Sequence, residues 1–307
     1  MFFSLCRRTV LLAAYPVAVC LLAGPPAARA WGNEGHRMIN RLAAEKLPAD
    51  VPAFLKTPAA LDEIEYLGPE PDRWRSLAEP ELKAVQGPEH FINLELADKF
   101  LPLPHQRFDF EAEVFAAGER PEKIGLQPWQ TTEVWERLKA AMRAYRTLSA
   151  EGKDTHPVEQ AILFYAGWLG HYVGDGSQPL HTTVEYNGWV GPNPNGYTTS
   201  HQIHWEFEGP FVAANIHPAD IESKMTPTKA IDGDLFTAYM AYLRHSHTFV
   251  DRVYELEKQG GFVGAGTPES RAFTAERLAA GASMLRDMIY SAWLASAQPA
   301  PVYHPAQ

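Results

Sequence analysis

Apolar residues recur every third and fourth position through several stretches: Ile39, Leu42 and Ala43; Trp135, Leu138, Met142 and Tyr145; Ile162, Tyr165 and Leu169; Leu235, Tyr239, Tyr242 and Phe249; Leu278, Met284, Met288 and Trp293. This spacing lays one apolar stripe along a helix, so it predicts amphipathic helices sharing a core. Runs alternating β-branched with polar residues are nearly absent, and the pattern offers no sheet. Pro69, Pro71, Pro88, Pro102 and Pro104 interrupt the first half, while Gly188, Gly191, Pro192, Pro194 and Gly196 mark a long loop. Thr267-Pro268-Glu269 sets a capping hydroxyl and a first-turn proline at the start of a closing helix. The expected fold class is all-α: a single mostly helical domain over residues 31–297, with a Pro-rich, disordered tail at 298–307.

The first thirty residues follow another pattern. Arg7 and Arg8 precede an apolar run from Thr9 to Leu22, and Ala28-Arg29-Ala30 offers small residues at a cleavage point. This reads as a signal peptide over residues 1–30, whose removal exposes Trp31 as the new N-terminus. A twin-arginine signal fits the flanks of Arg7-Arg8 loosely, and Val19 is bulky for lipid anchoring at Cys20. No later uninterrupted run of about 18 apolar residues appears. The mature chain is expected to be exported, to a periplasm or beyond, with no integral membrane segment. Cys6 and Cys20 both lie in the leader, which excludes disulfides and thiolate ligands from the mature chain.

Charge alone argues against a nucleic-acid partner. The chain holds 27 basic and 37 acidic residues; the leader takes three arginines and no acid, leaving 24 against 37 and a net charge of −13. Polyanion binders usually carry the opposite sign. The objection weakens if several carboxylates hold divalent cations, which reverse the local charge where a phosphate approaches.

The segment from Leu169 to His181 carries the most chemistry. His171 and Asp175 stand four apart, on one face of the predicted helix, and Pro179 should end that helix and let His181 turn back toward them. His204 and Glu208 repeat the spacing. One such pair is most often an ion pair; two pairs plus a third histidine, in a chain without thiols, point to a nitrogen- and oxygen-ligated zinc. A freed Trp31 amine, which loses its proton near pH 8, can chelate a metal together with its carbonyl, and His36 follows five residues later.

The combination Trp31-Gly…His36, Asp72-Arg-Trp-Arg75, His90-Phe-Ile-Asn93, His171-Tyr-Val-Gly-Asp175…Gln178-Pro-Leu-His181 and His204…Glu208 resembles the S1/P1-type zinc-dependent nuclease family, within the superfamily that includes bacterial zinc-dependent phospholipases C. The resemblance implies three zinc ions. One is held by Asp72, His90, His171 and Asp175; Asp175 bridges to a second, held also by the Trp31 amine and carbonyl and by His36; the third is held by His181, His204 and Glu208. It implies that Asp72 and Arg75 serve catalysis, Arg75 neutralising phosphate charge, while two close cations bring a shared water's pKa to about 7. Phe91 and Asn93 match positions that stack a base and bond its edge, which suits single-stranded DNA or RNA.

The same resemblance leaves a phospholipid substrate as the alternative, and a non-catalytic zinc-binding helical domain as a further one. Glu208 stands where the nucleases usually have Asp and the phospholipases Glu. Asn93 replaces an expected carboxylate, and the cysteines of the fungal enzymes are absent. Trp74, Tyr186, Trp189, Tyr197 and Trp205 suit a cleft or an ordinary core equally, whereas His105, His156, His217, His245 and His247 read as surface or packing residues.

Overall fold

The computed structural model describes residues 31–300. The expected leader and the end of the expected tail lie outside the described residues. Helices dominate, as the apolar periodicity requires; among the described residues the only β pairing is an isolated bridge between Tyr186 and Gly188. None of these helices is long and apolar enough to cross a membrane.

The helices that build the core are α1 (Gly32–Glu45), α2 (Pro58–Leu67), α3 (Gln127–Ala150), α4 (His156–Ser177), α5 (Leu235–His247) and α6 (Pro268–Ala295). Short helices and 3-10 turns connect them. Helix α4 is central, packing against α1, α2, α3, α5 and α6. Every residue from Leu169 to Ser177 is buried, so this end of α4 is enclosed on all sides. Ile39, Leu138, Leu169, Leu278 and Leu285 are fully buried around it, each contributing about 1.5–3 kcal/mol in transfer free energy.

Two features bring α1 and α2 close to α4. Asn40, fully buried, donates from Nδ2 to Ile64 O and Gly167 O, both at 2.9 Å, and so ties three helices together. Opposite it, Gly170 leaves no space for a side chain: a Cβ there would lie 1.9 Å from Asn40 Oδ1. The contact carries functional residues, because His36 is one turn from Asn40 and His171 follows Gly170.

Local sequence sets the helix ends near the site. Gln178 is extended, with ψ of 115°, as the residue before a proline prefers, and Pro179–Thr182 forms a 3-10 turn that returns His181 toward α4. Helix α6 starts where expected, with Thr267 Oγ1 accepting from Ser270 N–H. The stripe extending to Phe249 is interrupted. Thr248 N–H bonds to the carbonyls of both Arg244 and His245, the chain leaves the helix, and Phe249 turns beneath the Arg277 guanidinium, 3.9 Å from its ring centroid.

Candidate metal centre and cleft

Side chains from well-separated parts of the chain converge at the enclosed end of α4. Their nitrogen and oxygen atoms form three groups, each compact enough to hold one metal ion: His36, His171 and Asp175; Asp72, His90 and His171; His181, His204 and Glu208. His36 Nε2 lies 3.3 Å from Asp175 Oδ1, and His171 Nε2 lies 3.4 Å from Asp175 Oδ2. The imidazoles of His36 and His171 stack with centroids 4.0 Å apart. His90 Nε2 is 3.8 Å from Asp72 Oδ1, and His204 Nε2 is 3.0 Å from Glu208 Oε2.

Backbone carbonyls orient four of these histidines. Nδ1 of His90 donates to Gln86 O at 2.7 Å, that of His171 to Gly68 O at 2.9 Å, that of His181 to His90 O at 2.6 Å, and that of His204 to Tyr186 O at 2.9 Å. A carbonyl can only accept, so each ring carries its proton on Nδ1 and turns the Nε2 lone pair inward. This is the arrangement that metal-ligating histidines require. His181 Nε2 and His204 Nε2 stand 3.1 Å apart. Two lone pairs at that distance repel unless a proton or a cation lies between them.

The carboxylates make the same demand. Asp72 Oδ2, both oxygens of Asp175 and Glu208 Oε1 are buried without a hydrogen-bond partner, as are His90 Nε2 and His171 Nε2. Leaving such atoms unsatisfied costs about 1–3 kcal/mol each, and more for charged groups. Burial pushes the Asp175 carboxyl well above the usual carboxylate range, and it raises Asp72 despite the neighbouring Arg75. Burial also drives His90 and His171 well below the ordinary histidine value. At Glu208 burial acts upward, but His204 and His181 outweigh it and hold the group at about 2; His204 is raised in turn because Glu208 outweighs its burial. The imidazoles of His90 and His171, held neutral by burial and facing buried carboxyl oxygens, suit a divalent cation of the zinc type.

Trp31 is fully buried at the start of α1. Its indole Nε1 donates to Gly174 O at 2.7 Å and Ser177 Oγ at 2.9 Å, which fixes the beginning of α1 on the end of α4. The resemblance places its main-chain nitrogen with His36 and Asp175. In the structure that nitrogen donates to Glu208 Oε2 at 3.2 Å. Gln178 Nε2 donates to the same oxygen at 3.0 Å.

Next to the groups opens a cleft of about 390 Å³, lined by Arg75, Gly87, His90, Phe91, Asn93, Lys123, Leu180, His181, Tyr186 and His204. Arg75 Nη1 pairs with Asp72 Oδ1 at 3.1 Å, so the ion pair that spacing allows is present, and the same arginine also lines the cleft. Asn93 Nδ2 donates to Lys123 O at 2.8 Å, leaving Oδ1 as the acceptor it can offer. The aromatic residues divide. Tyr186, half exposed, lines the cleft; Trp189 and Tyr197 pack against Tyr254; Trp74 sits edge-on to Trp168; Trp205 is partly exposed outside the cleft lining. His247 braces the turn after His181, donating from Nδ1 to Thr182 O at 3.0 Å.

His36, Asp72, His90, His171, Asp175, His181, His204 and Glu208 thus stand in these three groups, Arg75, Phe91 and Asn93 line the cleft, and the Trp31 main-chain nitrogen lies against Glu208 instead of with His36 and Asp175. Sequence spacing gave no sign of Lys123, of the Tyr186 carbonyl behind His204, or of Gln178 behind Glu208. The first two are contacts between distant segments; Gln178 stood within the resemblance motif, but no spacing rule tied it to Glu208.

The sequence profile of the family described as S1/P1 Nuclease matches residues 31–202. The chain belongs to the S1/P1 nuclease family. Membership makes it a hydrolase of phosphodiester bonds, in a family whose enzymes depend on zinc, and the all-α architecture agrees with that family's fold. The match includes Trp31, His36, Asp72, His90, His171, Asp175 and His181, and it ends before His204 and Glu208. Those two join the centre through their geometry. Comparison with curated proteins and with solved structures gave no match.

Proposed function

We propose that the chain is an exported endonuclease that cuts single-stranded DNA and RNA, using three zinc ions. Asp72, His90, His171 and Asp175 hold one ion; Trp31, His36 and Asp175 hold the second; His181, His204 and Glu208 hold the third. The observation that carries this reading is the set of buried atoms without a hydrogen-bond partner, Nε2 of His90 and His171 with carboxylate oxygens of Asp72, Asp175 and Glu208, grouped beside an open cleft. A purely structural zinc site closes its coordination and has no need of a substrate cleft. The family match beginning at Trp31 supports a mature chain that starts there.

When bound, zinc supplies Lewis acidity, lowering the pKa of a water and neutralising phosphate charge. The chain's own groups bind and orient. Arg75, held by Asp72, presents a planar fork of donors to the non-bridging phosphate oxygens. Phe91 offers a face on which a base stacks, worth about 1–3 kcal/mol, and Asn93 Oδ1 accepts from the base edge. An unpaired base reaches such a face without first breaking a duplex, which favours single strands. Cations at the centre together with Arg75 and Lys123 offset the mature chain's net −13 where the polyanion arrives.

The test is to incubate the zinc-loaded mature chain with single-stranded DNA, single-stranded RNA, duplex DNA and phosphatidylcholine vesicles. Release of acid-soluble nucleotides, faster from single strands than from duplex, is expected. Hydrolysis of phosphatidylcholine alone would move the chain to the phospholipase reading, and zinc binding with no hydrolysis of any substrate would make it a non-catalytic domain.

A further inference from the structure

Resting on the nuclease reading above, we propose that Lys123 binds the phosphate adjacent to the scissile one, so that the enzyme selects chains of several nucleotides over a substrate with one phosphodiester. The cleft holds two cationic side chains, Arg75 and Lys123. Arg75 is committed to the metal side through Asp72, at 3.1 Å. Lys123 belongs to the opposite function, because its backbone is built onto the residues that would read a base.

That attachment has several independent parts. Asn93 N–H donates to Ile124 O at 2.7 Å, and Asn93 Nδ2 donates to Lys123 O at 2.8 Å. Leu126 N–H donates to Pro88 O at 2.7 Å. Between them Gly125 adopts φ +99° and approaches Phe91 so closely that a Cβ there would stand 2.2 Å from Phe91 O. A left-handed glycine in so close a contact leaves the segment little freedom to move. The peptide that fixes Phe91 and Asn93 thus also fixes the Cα of Lys123.

The ammonium is available to a ligand. Lys123 is exposed and, among the described residues, makes no ion pair within 4.0 Å, while the adjacent Glu122 pairs with Arg120. In a mature chain of net charge −13, an exposed lysine on the cleft wall is a local exception. One cleft thus offers a guanidinium, an aromatic face, an amide and an ammonium, the groups that a phosphate, a base and a second phosphate of a nucleotide strand would each use. A phospholipid headgroup or a dinucleoside monophosphate has only one phosphate and cannot use the second cation.

The experiment compares kcat/KM for a thymidine tetranucleotide and for the dinucleoside monophosphate TpT, using zinc-loaded wild type, Lys123→Ala and Lys123→Arg. The expected result is that the preference for the tetranucleotide falls about tenfold in Lys123→Ala, through KM, and is restored in Lys123→Arg. Loss of one phosphate contact should also reduce the slope of log affinity against log salt by about 0.7. An unchanged preference, or equal losses on both substrates, would overturn the proposal. Failure of wild type to cleave either substrate would overturn the nuclease reading itself, and this inference with it.

Discussion

Replacing Asp175 by Asn removes one charge from the middle of the centre while keeping its shape. Asp175 is fully buried, both oxygens lack hydrogen-bond partners, and they face His36 at 3.3 Å and His171 at 3.4 Å. An amide is a poor zinc ligand, and even lesser changes in the shell behind a ligand cost 10–100-fold in affinity. Take free zinc at 100 times the wild-type dissociation constant and a 100-fold weaker variant. Zinc-dependent stabilisation then falls from about 2.7 to about 0.4 kcal/mol, a loss of roughly 5–9 °C in the zinc-induced shift at about 2–4 °C per kcal/mol. Without metal the sign reverses. Burial raises the Asp175 carboxyl in the folded chain, so its contribution is fully present below the unfolded value and is lost as pH rises through the folded one. Chelator-treated wild type should therefore lose stability above the ordinary carboxylate range, and Asp175→Asn should lose less. The assay is thermal unfolding with zinc and with chelator across pH, together with zinc content by elemental analysis. An equal zinc-induced shift and equal zinc content in Asp175→Asn would refute the reasoning.

Three further outcomes are expected. Arg75→Ala should lower kcat by about 10²–10³, as for other single stabilising donors, while zinc content stays at the wild-type level; full activity would remove Arg75 from the reaction. A residue added before Trp31 should reduce bound zinc by one ion per chain, measured by elemental analysis, because a peptide nitrogen cannot replace a free amine; unchanged content would dismiss the terminal amine as a ligand. Gly170→Ala should destabilise by about 1–3 kcal/mol in chemical denaturation, since its Cβ would meet Asn40 Oδ1 at 1.9 Å; wild-type stability would show that α1 and α4 can separate there.

The helices were legible because a stripe such as Trp135, Leu138 and Met142 leaves one side of the chain needing cover, and the turn at Gln178-Pro179 because the residue before proline avoids the helix. The break before Phe249 was not legible: its ring continues the apolar spacing, but the backbone turns it beneath Arg277 instead. At the site, His171 with Asp175 and His204 with Glu208 could be paired by helical spacing alone. Asp72 has only Arg75 and His90 has no metal ligand at helical spacing, so only a family resemblance could join them to His171. The carbonyls of Gln86, Gly68, His90 and Tyr186 that orient the imidazoles carry no sequence signature, since every residue has one. Lys123 escaped for a similar reason: one lysine after a proline turn gives no pattern until Asn93 and Phe91 are seen to hold its backbone.

The most direct measurement is anomalous diffraction at the zinc absorption edge, from crystals of the mature chain grown with zinc. Three peaks are predicted, each among the side chains assigned to one ion, with one next to Trp31, His36 and Asp175. No peak at the end of α4, or zinc bound only at surface histidines such as His105 or His217, would contradict the account.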